Sequence, residues 1–232
     1  MLKINRKTRY LKNKEKILPE AEKMFSRHFA EKSEFKKFFE DLSNKNKNKF
    51  LKISFFYYHH WWKLEESFKK DIDDFSLIIF TSIIESAMSD VKYKDFYSWY
   101  ISECKNKKNN VENLWREYNE EHGSTKKIIY FFEKYLSKDD QSSLENGFKK
   151  RNSGEKKFSP CSLKDIAKIL YKLRSKFVHD AEYIPIPRGN YNKIDFTNKH
   201  RTYRLEDITL DEILNILEKG IVKYFRELTK NK

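Results

Sequence analysis

Apolar residues recur three or four positions apart along most of the chain, which is the spacing of an amphipathic helix. The first such pattern predicts a helix that Pro19 opens and that runs to about Leu42. A polar connector is expected at 44–49, and a second helix over 50–70. Residues 73–88 are apolar nearly all round, as in a helix at the middle of a bundle. Further helical patterns lie at 94–103, 111–121, 125–137 and 139–150.

The last third of the chain alternates between loops and helices. Residues 151–161 predict a loop, and Ser162 with Asp165 then predicts a capping-box-like start of a helix that reaches about Glu182. Residues 190–205 alternate enough between apolar and polar side chains to predict a short hairpin or an ordered loop. A second capping box, formed by Thr209 and Glu212, predicts a final helix.

These patterns predict an all-α fold, a helical bundle with a small β-hairpin or ordered loop after the helix that begins at Ser162. The scarcity of helix breakers, five Gly and four Pro, agrees with long helices. We expect residues 1–69 to form a basic arm with a helical extension and residues 70–232 to form the bundle. The arm, residues 1–16, carries seven Lys or Arg against one Glu, and it either contacts phosphates or is a frayed terminus.

The positive net charge of the chain indicates which class of partner it binds. The formal net charge of +14 favours a polyanion, either nucleic acid or an anionic membrane surface, although a Lys-rich proteome would give the same balance. The longest apolar stretch, 75–88, is too short to cross a bilayer, and the N-terminus lacks the apolar region of a secretory signal. The only two cysteines, Cys104 and Cys161, form no disulfide framework and lack zinc-site spacing. We therefore expect a cytoplasmic protein that has no membrane partner.

One helix face carries candidate chemistry. On a helical wheel, the helix that begins at Ser162 has Ile166, Ile169, Leu170, Leu173 and Phe177 on one side, which predicts the core face. The opposite side carries Tyr171, Arg174, Ser175, Val178 and His179. Tyr171 and Val178 are poor choices for plain solvent exposure, so we expect another helix, a second subunit or a ligand to cover this face.

The run Leu170-Tyr-Lys-Leu-Arg-Ser-Lys-Phe-Val-His179, with Arg174 and His179 separated by four residues late in a helix, resembles the motif of the HEPN superfamily of RNA-directed helical-bundle proteins. Residues 78–87 also look like the partner helix of HEPN bundles. The resemblance covers roughly residues 70–228. Ser175 stands where active members often carry Asn, Asp or His.

The resemblance implies a homodimer in which both Arg174/His179 pairs line one cleft, and a metal-free ribonuclease that needs no cofactor. The ribose 2′-OH would attack the adjacent phosphorus. His179 exchanges protons, Arg174 neutralises the phosphate, and Ser175 and Tyr171 orient these groups. A toxin or an antiviral-defence effector with an antitoxin or other regulatory partner is the cellular role that follows.

Three alternatives stay open from the residues themselves. In the first, Arg174 and His179 only stabilise the end of their own helix: they donate hydrogen bonds to its last carbonyls, and their positive charges interact favourably with its dipole. A non-catalytic HEPN-like RNA- or nucleotide-binding module is the second, and a structural dimeric adaptor is the third. Glu85, a carboxylate in the apolar helix, needs a partner, for which Arg174 and a group on a neighbouring helix are both candidates.

Basic residues on both sides of the motif helix predict a track for RNA. The RNA-binding candidates are Lys149, Lys150, Arg151, Lys156, Lys157, Arg188, Arg201 and Arg204. Ordinary solvated loops would show the same residues. The run His59, His60, Trp61 and Trp62 points all round a helix, so it favours core packing over base stacking.

Overall fold

The computed structural model describes residues 14–57, 75–88, 96–104, 110–180, 193–198 and 201–230. Helices dominate these ranges and a small antiparallel sheet accompanies them, which confirms the predicted helical bundle with a hairpin. The α-helices are α1 (Lys14–Phe25), α2 (Lys32–Asp41), α3 (Asn44–Tyr57), α4 (Phe75–Ala87), α5 (Phe96–Trp99), α6 (Val111–His122), α7 (Ser124–Tyr135), α8 (Lys138–Gly147), α9 (Leu163–Asp180) and α10 (Leu210–Lys230). The strands are β1 (Phe148–Asn152), β2 (Ser159–Pro160), β3 (Lys193–Asn198) and β4 (Arg201–Glu206).

The chain divides into two compact units. One comprises the described residues of Met1–Ile72 and Ile221–Lys232, and the other those of Asp73–Gly220. The final helix α10 therefore contributes its first half to the second unit and its second half to the first. The predicted domains, 1–69 and 70–232, stay a prediction.

Aromatic side chains form the core of the first unit. Phe25, Phe35, Phe50 and Phe225 are each almost completely buried. The ring of Phe50 lies 5.3 Å from that of Phe25 and meets that of Phe225 edge-on at 5.0 Å. Edge-on and tilted ring pairs of this kind add stability beyond the area that they bury.

The first predicted helix is wrong in its bounds. It begins at Lys14, contains Pro19, and ends at Phe25, after which a short 3-10 turn (Ser26–His28) separates it from α2. The chain leaves the helix because Phe29 is extended and its ring packs edge-on against Phe35 at 5.5 Å. Packing of the Phe29 ring in the aromatic core thus breaks the chain into two helices here, although the helical periodicity of the sequence continues.

The polar connector expected at 44–49 is also wrong, because these residues form the first turns of α3. The hydroxyl of Ser43 accepts from the N–H of Asn46 at 3.4 Å, which satisfies a helix-terminal donor. The polar side chains precede the buried residues Phe50 and Ile53 of the same helix. The remainder of the predicted helix over 50–70, including His59 to Trp62, lies outside the described residues beyond Tyr57.

The second unit is organised around α9, which packs against α4, α7 and α8. The predicted core residues Ile166, Ile169, Leu170 and Leu173 are all buried. Trp99, Cys104, Leu114 and Tyr118 form a smaller cluster between α5, the adjoining π-helix Tyr100–Cys104 and α6. The core face inferred from the helical wheel is therefore confirmed as far as Leu173.

Both predicted capping boxes are present. At the start of α9, the Asp165 N–H donates to the Ser162 hydroxyl at 3.2 Å, and the Ser162 N–H donates to the Asp165 carboxylate at 3.3 Å. Thr209 and Glu212 make the equivalent contacts at 3.2 and 2.7 Å before α10. These reciprocal hydrogen bonds fix where each helix begins.

The strands form one antiparallel sheet in the order β2-β1-β4-β3. The hairpin of β3 and β4 is the predicted one, whereas β1 takes residues 148–150 that were expected to be helical. The helix before it ends at Gly147, where a Cβ would lie 2.3 Å from the Ile208 side chain. Phe148 then pairs with Leu205 of β4, and both side chains are buried. Burial of this cross-strand pair favours the strand over a longer helix.

Candidate functional site

The motif helix α9 holds Arg174 against α4. One guanidinium nitrogen of Arg174, Nη2, lies 3.4 Å from the Glu85 carboxylate oxygen Oε2, and the two side chains are 26% and 14% exposed. At about 100° per residue, Arg174 stands only about 40° from the buried Leu170 on the wheel, so it lies at the border of the core face. This geometry explains why Arg174 contacts a neighbouring helix although the wheel placed it opposite the core.

Glu85 therefore has the partner that its apolar surroundings require, and of the two candidates the partner is Arg174. Within the described residues, the Glu85 oxygen Oε1 and the Arg174 nitrogen Nε are buried and have no hydrogen-bond partner. A buried polar atom without a partner is costly, so each one in a native protein calls for an explanation, of which a catalytic role is one. The pair thus retains one acceptor and one donor that its own contact does not use.

Tyr171 and Ser175 lie on α9 one turn apart, and both are partly exposed. His179 belongs to the last turn of α9 by its backbone, five residues after Arg174. The side chains of Val178 and His179, like Arg188, lie outside the described residues. The structure therefore describes the motif side chains from Tyr171 to Ser175, whereas for His179 it describes only the helical backbone.

The predicted basic residues gather on the sheet. Lys149, Lys150 and Arg151 lie on β1, and Arg201 and Arg204 on the adjacent β4, where Lys149 pairs with Arg204. Lys156 and Lys157 are exposed in the turn between β1 and β2. A non-local strand pairing thus brings together residues that are about fifty positions apart in the sequence.

These basic side chains have different neighbours on the two faces of the sheet. The Lys150 ammonium lies 2.6 Å from the Asp165 carboxylate, so the motif helix's own cap neutralises it. Glu155 is bound by the side chain and backbone N–H of Asn152, and these hydrogen bonds, with Arg201 and Lys150 nearby, lower the pKa of Glu155. Lys150 and Arg201 therefore face acidic groups of the same chain.

The opposite face carries an aromatic residue that sequence reasoning missed. The guanidinium carbons of Arg204 and Arg151 lie 3.9 and 4.7 Å from the centre of the Phe158 ring. Both distances are those of cation–π contacts. Phe158 stands alone among polar residues in a predicted loop, and only its position two residues before Pro160 hinted at a strand edge.

A polar cleft of about 690 Å³ adjoins the sheet, between α8, α10 and the segment after β4. Five carboxylates line it against two lysines: the acids are Asp139, Asp140, Glu206, Asp207 and Glu212, and the lysines are Lys149 and Lys219. The Lys219 ammonium lies 3.2 Å from Asp140. An acidic cleft of this kind is a poor receptor for a phosphate.

Other site classes find no support in the described part of the chain. No group of three or more His, Cys, Asp or Glu side chains is arranged there as a metal-binding set. None of its helices combines the length and the apolar character needed to cross a bilayer. Cys104 and Cys161 are buried free thiols.

Comparison with known proteins gives no relative: no family model, no curated protein and no solved structure matches this chain.

Proposed function

We propose that this protein is a metal-independent RNA endonuclease of the HEPN type. The observation that carries the proposal is Arg174, which α9 holds in a partly buried setting beside Glu85, five residues before His179 on the same helix. A guanidinium fixed by a carboxylate is positioned in advance, so it loses little side-chain entropy when it binds a phosphate. The resemblance of the motif to HEPN ribonucleases supplies the reaction.

In the proposed reaction, the ribose 2′-OH attacks the neighbouring phosphorus and the bond from phosphorus to the 5′-oxygen breaks. His179 accepts the proton of the 2′-OH, and a second acid, the His179 of the partner copy in a homodimer, donates a proton to the leaving oxygen. The products are a 2′,3′-cyclic phosphate and a 5′-OH. Because the nucleophile is the 2′-OH, RNA is cleaved and DNA is not.

Arg174 stabilises the negative charge that grows on the phosphate oxygens during this reaction. Its contact with Glu85 is made by Nη2, and its Nε has no hydrogen-bond partner among the described residues. Ser175 and Tyr171, on the same helix, orient the imidazole or the phosphate. We propose a toxin or antiviral-defence role in the cytoplasm, under the control of an antitoxin or other regulator.

The second candidate function is that of a non-catalytic helical module. The same ion pair favours it, because an arginine that a carboxylate of its own chain engages can serve to join α9 to α4. In that case Arg174 stabilises the bundle, and RNA or nucleotide binding takes place without cleavage.

Purified protein incubated with mixed RNA in EDTA separates the two functions. The endonuclease produces cyclic-phosphate ends, and His179→Ala and Arg174→Ala each lose them by at least a hundredfold, while His28→Ala and Arg116→Ala keep them. Circular dichroism of each variant identifies misfolding. Light scattering after gel filtration reports the dimer. Full-length RNA after exposure to a folded parent protein would reject the endonuclease.

A further inference from the structure

We infer that the first unit captures the substrate RNA by its phosphate backbone, through a cationic surface on α3 and the end of α10. This surface is defined here as Lys52, Lys223, Arg226 and Lys230. The choice of RNA rests on the proposed function, and cleavage stays with the second unit, which carries Arg174 and His179. Binding and cleavage are therefore assigned to different units of one chain.

Almost all of the net positive charge belongs to the first unit. Its stretches, residues 1–72 and 221–232, contain 23 Lys or Arg and 11 Asp or Glu, a net charge of +12. Residues 73–220 contain 26 basic and 24 acidic residues, a net charge of +2. Even if every carboxylate of the first unit were paired, 12 of its cations would lack an acidic partner there. The second unit, whose charges nearly cancel, has no excess of carboxylates to offset them.

The end of α10 presents three of these cations on one stripe. Lys223, Arg226 and Lys230 are all exposed, and at about 100° per residue they lie within about 60° of one another around the helix. Arg226 donates a hydrogen bond to the His28 carbonyl at 3.4 Å, and its guanidinium carbon lies 4.4 Å from the centre of the Phe29 ring. Both partners are electrically neutral, so they restrict the side chain and leave its charge unbalanced.

The carboxylates near this stripe do not cancel its charge. Glu227 is the one acidic residue of 221–232, and it is engaged in a contact of its own. Within the described residues, neither Lys223 nor Lys230 makes an ion pair. The stripe therefore keeps the positive charge that the composition of the unit leads us to expect.

The neighbouring helix α3 extends the surface. It contacts this end of α10 where Phe50 meets Phe225 edge-on at 5.0 Å and where the Lys49 ammonium donates to the Tyr224 hydroxyl at 2.9 Å. Four lysines and no carboxylate lie on α3. Of these lysines, Lys52 is exposed and makes no ion pair with a described residue. Two helices that pack together thus both present cations to the solvent.

Such a surface fits the phosphate backbone of a nucleic acid better than an anionic membrane. Lysine ammonium groups on flexible stems neutralise phosphates as point charges without reading the bases, and the counterions that they release make the affinity fall with salt. Binding to a membrane surface gains strength from exposed apolar side chains that enter the bilayer interface. Of the six exposed large hydrophobic residues in the described part of the chain, only Phe56 lies in the first unit.

Fluorescence anisotropy tests the surface with a labelled 12-nucleotide uridine RNA in EDTA, in the full-length His179→Ala protein, which prevents cleavage during the measurement. We expect Lys52→Gln with Lys223→Gln and Lys230→Gln to weaken binding at least tenfold at 100 mM salt. The slope of log affinity against log salt should decrease by about 2.1, for three phosphate contacts. Deoxyuridine DNA of the same length should bind within threefold of the RNA, because the contacts are to phosphates.

The matched control removes the same charge from the second unit. Lys126→Gln, Lys138→Gln and Lys164→Gln, at exposed positions of α7, α8 and α9, should together weaken binding less than threefold. Circular dichroism checks that both triple variants are folded. Equal losses in the two triple variants, or parent-like binding by the first, overturn the inference. So does tighter binding of phosphatidylserine vesicles than of RNA, or a preference for RNA over DNA above tenfold.

The two proposals fail separately, because binding is measured without cleavage. A parent protein that binds RNA through this surface but does not cleave it rejects the endonuclease and leaves the inference standing. Cleavage by a protein whose affinity for RNA is unchanged when Lys52, Lys223 and Lys230 are replaced rejects the inference alone.

Discussion

The carboxylate of Glu85 lies 3.4 Å from the guanidinium of Arg174, and this ion pair joins α4 to α9. Both partners are largely withdrawn from water, so removal of one leaves the other with a charge that its surroundings do not balance.

We expect Glu85→Gln to lower the free energy of unfolding by about 1–3 kcal/mol, because the negative charge that balances the partly buried guanidinium of Arg174 is lost. Urea denaturation measures the change. Glu120→Gln, an exposed carboxylate on α6, is the control and should shift stability by less than about 0.5 kcal/mol. Equal unfolding curves for Glu85→Gln and the parent would show that the pair contributes nothing to the bundle.

Gly220 in α10 should resist the substitution that usually stabilises a helix. Alanine has the higher helix propensity, by about 1 kcal/mol, but a Cβ at this position would lie 2.6 Å from the Phe131 ring and 2.8 Å from Leu136. We expect Gly220→Ala to destabilise the protein by about 1–3 kcal/mol through overpacking, measured as a lower Tm. Lys223→Ala, at an exposed position of the same helix, is the control. Recovery of stability when Phe131→Leu is added would locate the clash, and a raised Tm for Gly220→Ala alone would contradict it.

Asp165, in the capping box at the start of α9, should make the free energy of unfolding fall at acidic pH. Burial by itself raises the pKa of Asp165, but the hydrogen bonds from Lys150 and Ser162 outweigh it and hold that pKa below its usual value. The unfolded chain then binds the proton more readily, near its ordinary pKa of about 4. The stabilisation is present above that pH and is lost as pH falls through the lowered pKa of the folded state. Asp165→Asn should flatten this part of the curve of unfolding free energy against pH, measured by urea denaturation.

Cys161 should react slowly with alkylating reagents. Burial raises the pKa of its thiol to about 12, so the reactive thiolate is on the order of 10⁻⁴ of the total at pH 8. Mass spectrometry after iodoacetamide treatment should find Cys161 modified in urea but protected in buffer. Lys168→Cys, at an exposed position of α9, provides the reactive control. Rapid labelling of Cys161 in buffer would mean that the loop between β2 and α9 opens readily.

Local patterns in the sequence predicted what depends on local chemistry. Ser162 with Asp165, and Thr209 with Glu212, marked two helix starts because each box is completed within four residues. The buried face of α9 followed from helical periodicity alone. The break at Phe29 was not predicted, because it depends on rings brought together by the fold.

The group of basic residues on β1 and β4 was predicted only in part for the same reason. Lys149 and Arg204 were named as RNA-binding residues, yet their direct pairing joins strands that β2, α9 and β3 separate in the chain. Phe158 carries no signal by itself. Its role appears only when two arginines, one from each strand, meet its ring.

The contribution of α10 to both units has a consequence for the order of events during synthesis. Phe50 finds its edge-on partner Phe225 only after all the residues between them have been synthesised. Residues 73–220 form a continuous stretch and can complete their contacts sooner. The second unit should therefore fold before the first, and a chain that stops at residue 220 should contain a folded second unit and an unfolded first unit.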